Sequence, residues 1–186
     1  MDDADMFATA RHIKERYADI PFVVLTPFSK EVSKRLAKED LSAVDYVFSW
    51  LGNSDLLLAI IKLIEDAMNV EQDTESVGVQ IILLIEDSVR FYSSALPTLF
   101  KIVLEESKEF SKEALNGHQR MLRMRGRPKI MLARTYEEAV EIYTKYPNNI
   151  LGVISDMSYT HEGEKDPLAG YHLAKWLKQK DKWLPI

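Results

Sequence analysis

The sequence predicts an α/β protein: a doubly wound parallel five-stranded sheet with helices on both faces, its halves in permuted order, plus an extended helical insertion. Three observations carry that expectation. Short apolar runs such as Ile81–Ile85 and Ile150–Ile154 do not alternate with polar residues, the mark of strands covered on both faces. Stretches with helical spacing of apolar residues separate these runs. An acidic polar piece, "NVEQDTESVG", divides a part with two strands from a part with three.

Met6, Ala10, Ile13 and Tyr17 place a helix over 6–18, since they recur at three- and four-residue steps. A strand follows at Phe22–Leu25, with Pro21 at its start, where a missing N–H is tolerated. Ser29–Asp40 reads as a helix with Val32, Leu36 and Ala37 on its apolar side, and "VDYVF" (44–48) as a second strand. Asp55 is placed to cap the apolar helix Leu56–Met68, and residues 69–79 read as a linker.

After it come a strand at 80–85 and a helical tract from Val89 to about Arg125, with breaks expected at Pro97 and at Asn116–Gly117. "KIMLA" (129–133) is a strand, Tyr136–Tyr146 a helix, and "ILGVIS" (150–155) a strand ending at Asp156. The loop "DMSYTHEGEKDP" leads to a helix, Leu168–Lys180, and "WLPI" reads as the opening of a further strand.

At 186 residues, 46% of them hydrophobic, the chain is long enough for one substantial core or two small ones. It contains no cysteine, which removes disulfides and thiolate chemistry. No apolar run is long enough to span a membrane, and "MDDAD" lacks the positive charge of a secretory signal. A cytoplasmic protein is expected. A net charge of −5 argues against a nucleic-acid surface. The local basic cluster of Arg120, Arg123, Arg125, Arg127 and Lys129 reads as a solvated face, the alternative being a surface for a phosphate or an acidic partner.

The chemistry lies at strand ends. In an open parallel sheet the carboxyl ends of the strands form the reactive edge. Here they deliver Glu86 and Asp87, then Asp156, and also Thr26. Converging carboxylates repel one another unless a cation sits among them. Magnesium takes such oxygen ligands, and a backbone carbonyl such as that of Ser158 would complete the set. An aspartate there can act as nucleophile toward a phosphoryl group. The plainer reading makes Asp87 or Ser88 a cap of the helix that begins near Val89, and Asp156 a loop residue.

"IILLIEDS", "GVISDMS" and "DPLAGYHLAKWLK" together resemble the first half of a response-regulator receiver domain, of CheY-like (flavodoxin-like) fold. "IPFVVLTPFS" with "VDYVFSW" resembles the second half. The resemblance covers nearly the whole chain but in reversed order. It implies that Asp156 is the phosphoacceptor and that Glu86, Asp87, Asp156 and the Ser158 carbonyl hold Mg2+. It also implies that Thr26 contacts the phosphoryl group and that Tyr46 is the switch aromatic. The family's lysine at the end of the last strand is replaced by Ser49, followed by Trp50 where the family has proline.

The implied organisation is residues 1–70 as a C-terminal half, 71–79 as linker, and 80–186 as an N-terminal half with a helical extension at about 100–127. The halves are expected to combine in one composite domain or in a swapped homodimer, and the chain also fits a segment of two successive receivers. Apolar positions from Leu99 to Met124 imply a protruding helix or helix pair, either an insertion burying its own stripe or a docking arm. The expected partners are a sensor histidine kinase or another phosphodonor and neighbouring domains, with no nucleic acid or membrane. The expected role is a phosphoacceptor regulatory module rather than a dedicated enzyme. A phosphorylation-independent pseudo-receiver and a small magnesium-dependent hydrolase are the alternatives. His12, His118, His161 and His172 show no metal-ligand spacing; His161 alone lies near Asp156 in sequence.

Overall fold

The computed structural model describes residues 3–27, 42–50, 52–112 and 126–186. The expected helix Ser29–Asp40, the Asn116–Gly117 break, and Arg120, Arg123 and Arg125 lie outside them. Elements in chain order are α1 (Asp3–Arg16), β1 (Val23–Pro27), β2 (Tyr46–Trp50), α2 (Asp55–Val77), β3 (Ile81–Ile85), α3 (Val89–Lys112), β4 (Lys129–Ala133), α4 (Tyr136–Lys145), β5 (Ile150–Ser155), β6 (Tyr159–His161), β7 (Glu164–Asp166) and α5 (Ala169–Lys180). No helix among the described residues is long and apolar enough to cross a membrane.

The fold is mixed α/β with parallel strands and helices packed against them. Its centre is a three-stranded parallel sheet in the order β4-β3-β5. Ile81, Leu83, Leu84 and Ile85 of the middle strand are buried, because β3 is covered on both faces. Leu84, Ile130 and Leu132 meet α2 and α3 on one side, while Leu83, Ile85, Ala133 and Val153 meet α4 and α5 on the other.

The expected single sheet of five is here divided. β1 and β2 pair with each other in parallel and form a separate two-stranded sheet. β2 lies on α3 instead of extending the central sheet: the Tyr92 hydroxyl donates to the Val47 carbonyl, Ser49 N–H donates to Ser93 Oγ at 2.9 Å, and Phe48 meets Tyr92 edge-on. Burial of those two rings sets the arrangement. The outer edge of β5 receives the end of the chain, with Val153 N–H donating to the Pro185 carbonyl at 2.9 Å. "WLPI", expected to open a further strand, makes this backbone contact with β5 without forming a strand.

Three local expectations change. The polar piece read as a linker is helical, since α2 continues to Val77 and stops at Gly78, a left-handed residue (φ 69°) whose N–H donates to the Thr74 carbonyl. Val70 on its inner face is buried, and Asp73 pairs with Lys129 at 2.6 Å, which holds these turns to the sheet. At the other end Asn53 Oδ1, not Asp55, accepts from the first free N–H, that of Asp55 itself. α3 passes through Pro97 without interruption, and the buried Tyr92, Leu96, Phe100 and Val103 pack its first turns into the core; residues 113–125 of the expected helical extension lie outside the described residues.

Arg127 and Lys129 are not a solvated face. Both are buried, and Arg127 grips the fully buried Asp66 with two nitrogens, at 2.6 and 3.0 Å. Asp66 also accepts from Ile130 N–H at 2.9 Å and stands 3.6 Å from Lys129 Nζ. This ionic cluster joins α2 to the start of β4.

Candidate functional site

β3 and β5 are neighbours, and their register brings Ile85 opposite Ser155. Asp156 N–H donates to the Ile85 carbonyl at 2.9 Å, and Glu86 N–H to the Ala133 carbonyl at 3.0 Å. The chain therefore leaves both strands at one level, and one carboxylate oxygen each of Glu86, Asp87 and Asp156 lies within 4.8 Å of the others. Asp156 is exposed, and the other two are partly covered. Glu86 also accepts the Ser88 N–H at 2.9 Å. Partial burial, reinforced by the charges of Asp156 and Asp87, raises its pKa above the ordinary carboxylate value.

The remaining wall comes from a hairpin absent from the sequence expectations. β6 and β7 are antiparallel, joined by Glu162 and Gly163, both with positive φ (52° and 81°), the two-residue turn that matches strand twist. Glu162 N–H donates to Glu137 Oε1 at 2.8 Å, tying the turn to the start of α4. From β7 the Lys165 ammonium reaches Asp87 Oδ2 at 2.6 Å and the Ser158 carbonyl at 2.7 Å. Opposite, Gly170 at the start of α5 donates its N–H to the Met157 carbonyl at 3.0 Å. A methyl group at Gly170 would fall 2.3 Å from the Asp156 carbonyl oxygen, so the helix sits directly on the backbone that carries Asp156.

Whether these groups suit a hard divalent ion is tested by what they already hold. One positive charge stands between Asp87 and the Ser158 carbonyl, which are two members of the oxygen set inferred from sequence. The donors are carboxylate and carbonyl oxygens throughout, the chemistry magnesium prefers. The residues fit.

The structure does not bring every predicted residue to this place. Glu86, Asp87 and Asp156 converge, and the Ser158 carbonyl is joined to Asp87 through the Lys165 ammonium. Thr26 is on β1, which pairs only with β2, so it belongs to a different sheet from Asp156; its hydroxyl turns to the Pro27 carbonyl at 3.3 Å. Tyr46 opens β2, its ring 6.1 Å from Phe48 and 5.8 Å from the Arg134 guanidinium. Burial is the main influence raising its hydroxyl pKa, and Arg134 opposes it. Ser49 is buried with its hydroxyl oxygen lacking a hydrogen-bond partner, while Trp50 is exposed.

Two features went unread in the sequence. Lys165 falls within the expected loop "DMSYTHEGEKDP", where the glycine turn between "YTH" and "EKD" marks a hairpin. His161, Asp166 and His172 come together, each imidazole Nδ1 next to the same carboxylate oxygen, at 3.2 and 3.1 Å. Their spacing crosses a hairpin and a helix start, so no linear motif displays it.

Compared with family models, with curated proteins and with solved structures, the chain matches none.

Proposed function

We propose that the chain is a signalling receiver module, resembling response-regulator receivers, that takes a phosphoryl group onto Asp156 and passes the change on through protein–protein contacts. The observation that carries this reading is the convergence of Glu86, Asp87 and Asp156 at the ends of adjacent parallel strands, with Asp156 open to solvent. An Asp156 carboxylate oxygen would attack the phosphorus of the donor as the bond to the donor's leaving atom breaks. A sensor histidine kinase would leave with the electron pair on its imidazole nitrogen; a small phosphodonor would leave as its carboxylate. Glu86, Asp87, Asp156 and the Ser158 carbonyl would hold Mg2+, which when bound offsets negative charge around the transferring oxygens. Gly170 and the Ile85 carbonyl hold the Asp156 backbone in place.

The composite five-stranded sheet belongs to the same reading. Leu151 and Ile154 of β5 are exposed, as are Leu25 and Trp50 of the β1–β2 pair. Covering both would bring the β1–β2 pair of a second copy, or of a neighbouring receiver, to the outer edge of β5, in place of the chain end that bonds there through Pro185, and set Thr26 beside Asp156. Light scattering distinguishes a dimer of this kind from a monomer.

A second reading is favoured by one observation: the Lys165 ammonium already bridges Asp87 and the Ser158 carbonyl. With Ser49 in the lysine's place, that arrangement supports a pseudo-receiver that binds partners without phosphorylation. Intact mass after incubation with magnesium and acetyl phosphate separates the two. The gain of one phosphoryl group by wild type, and none by Asp156→Ala, supports the receiver. A folded, magnesium-binding wild type without the gain supports the pseudo-receiver.

A further inference from the structure

We propose that His161, Asp166 and His172 form a site for a transition-metal ion of the zinc class, separate from the carboxylate centre and independent of the phosphoacceptor reading. The hairpin separates the two sites. Lys165 and Asp166 are consecutive in β7, so their side chains leave opposite faces. Lys165 goes to Asp87, and Asp166 to the two histidines.

The geometry is that of ligands around a common ion. His161 Nδ1 and His172 Nδ1 stand 3.2 and 3.1 Å from Asp166 Oδ2, and the three atoms lie within 4.8 Å of one another. Ligands bonded to tetrahedral zinc at about 2.0–2.2 Å are separated by about 3.3 Å, so small movements admit the ion. Two imidazoles and a carboxylate are a set that zinc, cobalt and nickel accept, and three protein ligands leave a coordination position for water.

The ligands are also oriented from behind. Leu168 N–H donates to Asp166 Oδ1 at 2.8 Å, leaving Oδ2 to face the histidines. The His161 ring lies 4.1 Å from that of Tyr136, at 30°. Hydrogen-bonded carboxylates and fixed rings are what outer-shell partners supply at metal sites. A bound ion would join the hairpin to the first turn of α5, because His161 and Asp166 lie on the one and His172 on the other.

The test uses untagged protein, with Zn2+ competition against a chromogenic chelator and the visible absorption of added Co2+. Wild type should take up one equivalent of Zn2+ and give the strong Co2+ bands of a tetrahedral site. His172→Ala and Asp166→Asn should each weaken binding by more than the roughly 10–100-fold that loss of an outer-shell partner costs and remove the bands, while Glu86→Gln leaves both unchanged. His172 is exposed on the helix surface, so its variant keeps the test valid should Asp166→Asn fail to fold. Absence of saturable binding by wild type overturns the proposal, as does undiminished binding by folded His172→Ala. A loss in Glu86→Gln equal to that in His172→Ala also overturns it, by assigning the ion to the carboxylate centre.

Discussion

Lys165 Nζ lies 2.6 Å from Asp87 Oδ2, and the same ammonium is 2.7 Å from the Ser158 carbonyl. Any divalent ion using those two oxygens has to displace it. Lys165 is more than half exposed, which limits such a pair to about 0.2–1 kcal/mol. Lys165→Met is therefore expected to tighten Mg2+ binding, by at most about fivefold, as 1 kcal/mol corresponds to that factor. Calorimetric titration checks this, and an unchanged or weaker affinity would show that the ammonium does not compete.

Gly170 has a steric task, not a conformational one. Its missing side chain leaves room for the Asp156 carbonyl, which a methyl carbon would approach to 2.3 Å. That obstacle is backbone, so relief requires α5 or the Asp156 loop to move. Gly170→Ala is expected to cost about 1–3 kcal/mol of stability, the usual range for overpacking. It should also weaken magnesium binding. Urea denaturation gives the first quantity and metal titration the second; a variant as stable as wild type would contradict the close approach.

The acid centre was legible in sequence because it depends on local facts. Apolar runs end at Glu86 and Asp156, and adjacent parallel strands deliver their carboxyl ends to one edge. The steric task of the glycine in "DPLAG" was not legible, because it depends on how closely α5 approaches the Asp156 backbone. What decides the position of β1–β2 is non-local: Phe48 meets Tyr92 on α3, a ring contact that no window of sequence contains. The linker expectation failed because polarity was equated with irregular structure, whereas Asp73 pairs with Lys129 across to β4. The hairpin strands, three residues each, are too short to display alternation.

Asp66 and Arg127 provide a test of the ionic cluster. Both are buried and joined by two hydrogen bonds, and removal of one partner leaves an uncompensated charge away from water. Asp66→Ala should lower the unfolding free energy by about 3–5 kcal/mol, whereas the double variant Asp66→Leu with Arg127→Met should recover much of that loss. Urea denaturation of the wild type, the single variant and the double variant measures both. A loss below about 1 kcal/mol for Asp66→Ala would mean that the pair behaves as if solvated.

Glu86 gives the centre a pH dependence whose sign follows from its environment. Its folded pKa is raised, by partial burial first and by the neighbouring carboxylates after it. Between the ordinary value of 4.5 and the raised one, the folded state binds more protons than the unfolded state. Stability must then fall as pH rises through that window and stay lower above it. Glu86→Gln has no such proton to lose. It should be more stable than wild type above the window, with the difference shrinking as pH falls toward the unfolded value. Denaturation of both proteins across the acidic range, without metal, checks the sign. A difference that grows on acidification would mean that Glu86 is held as the anion, with the Ser88 N–H and Lys165 outweighing burial.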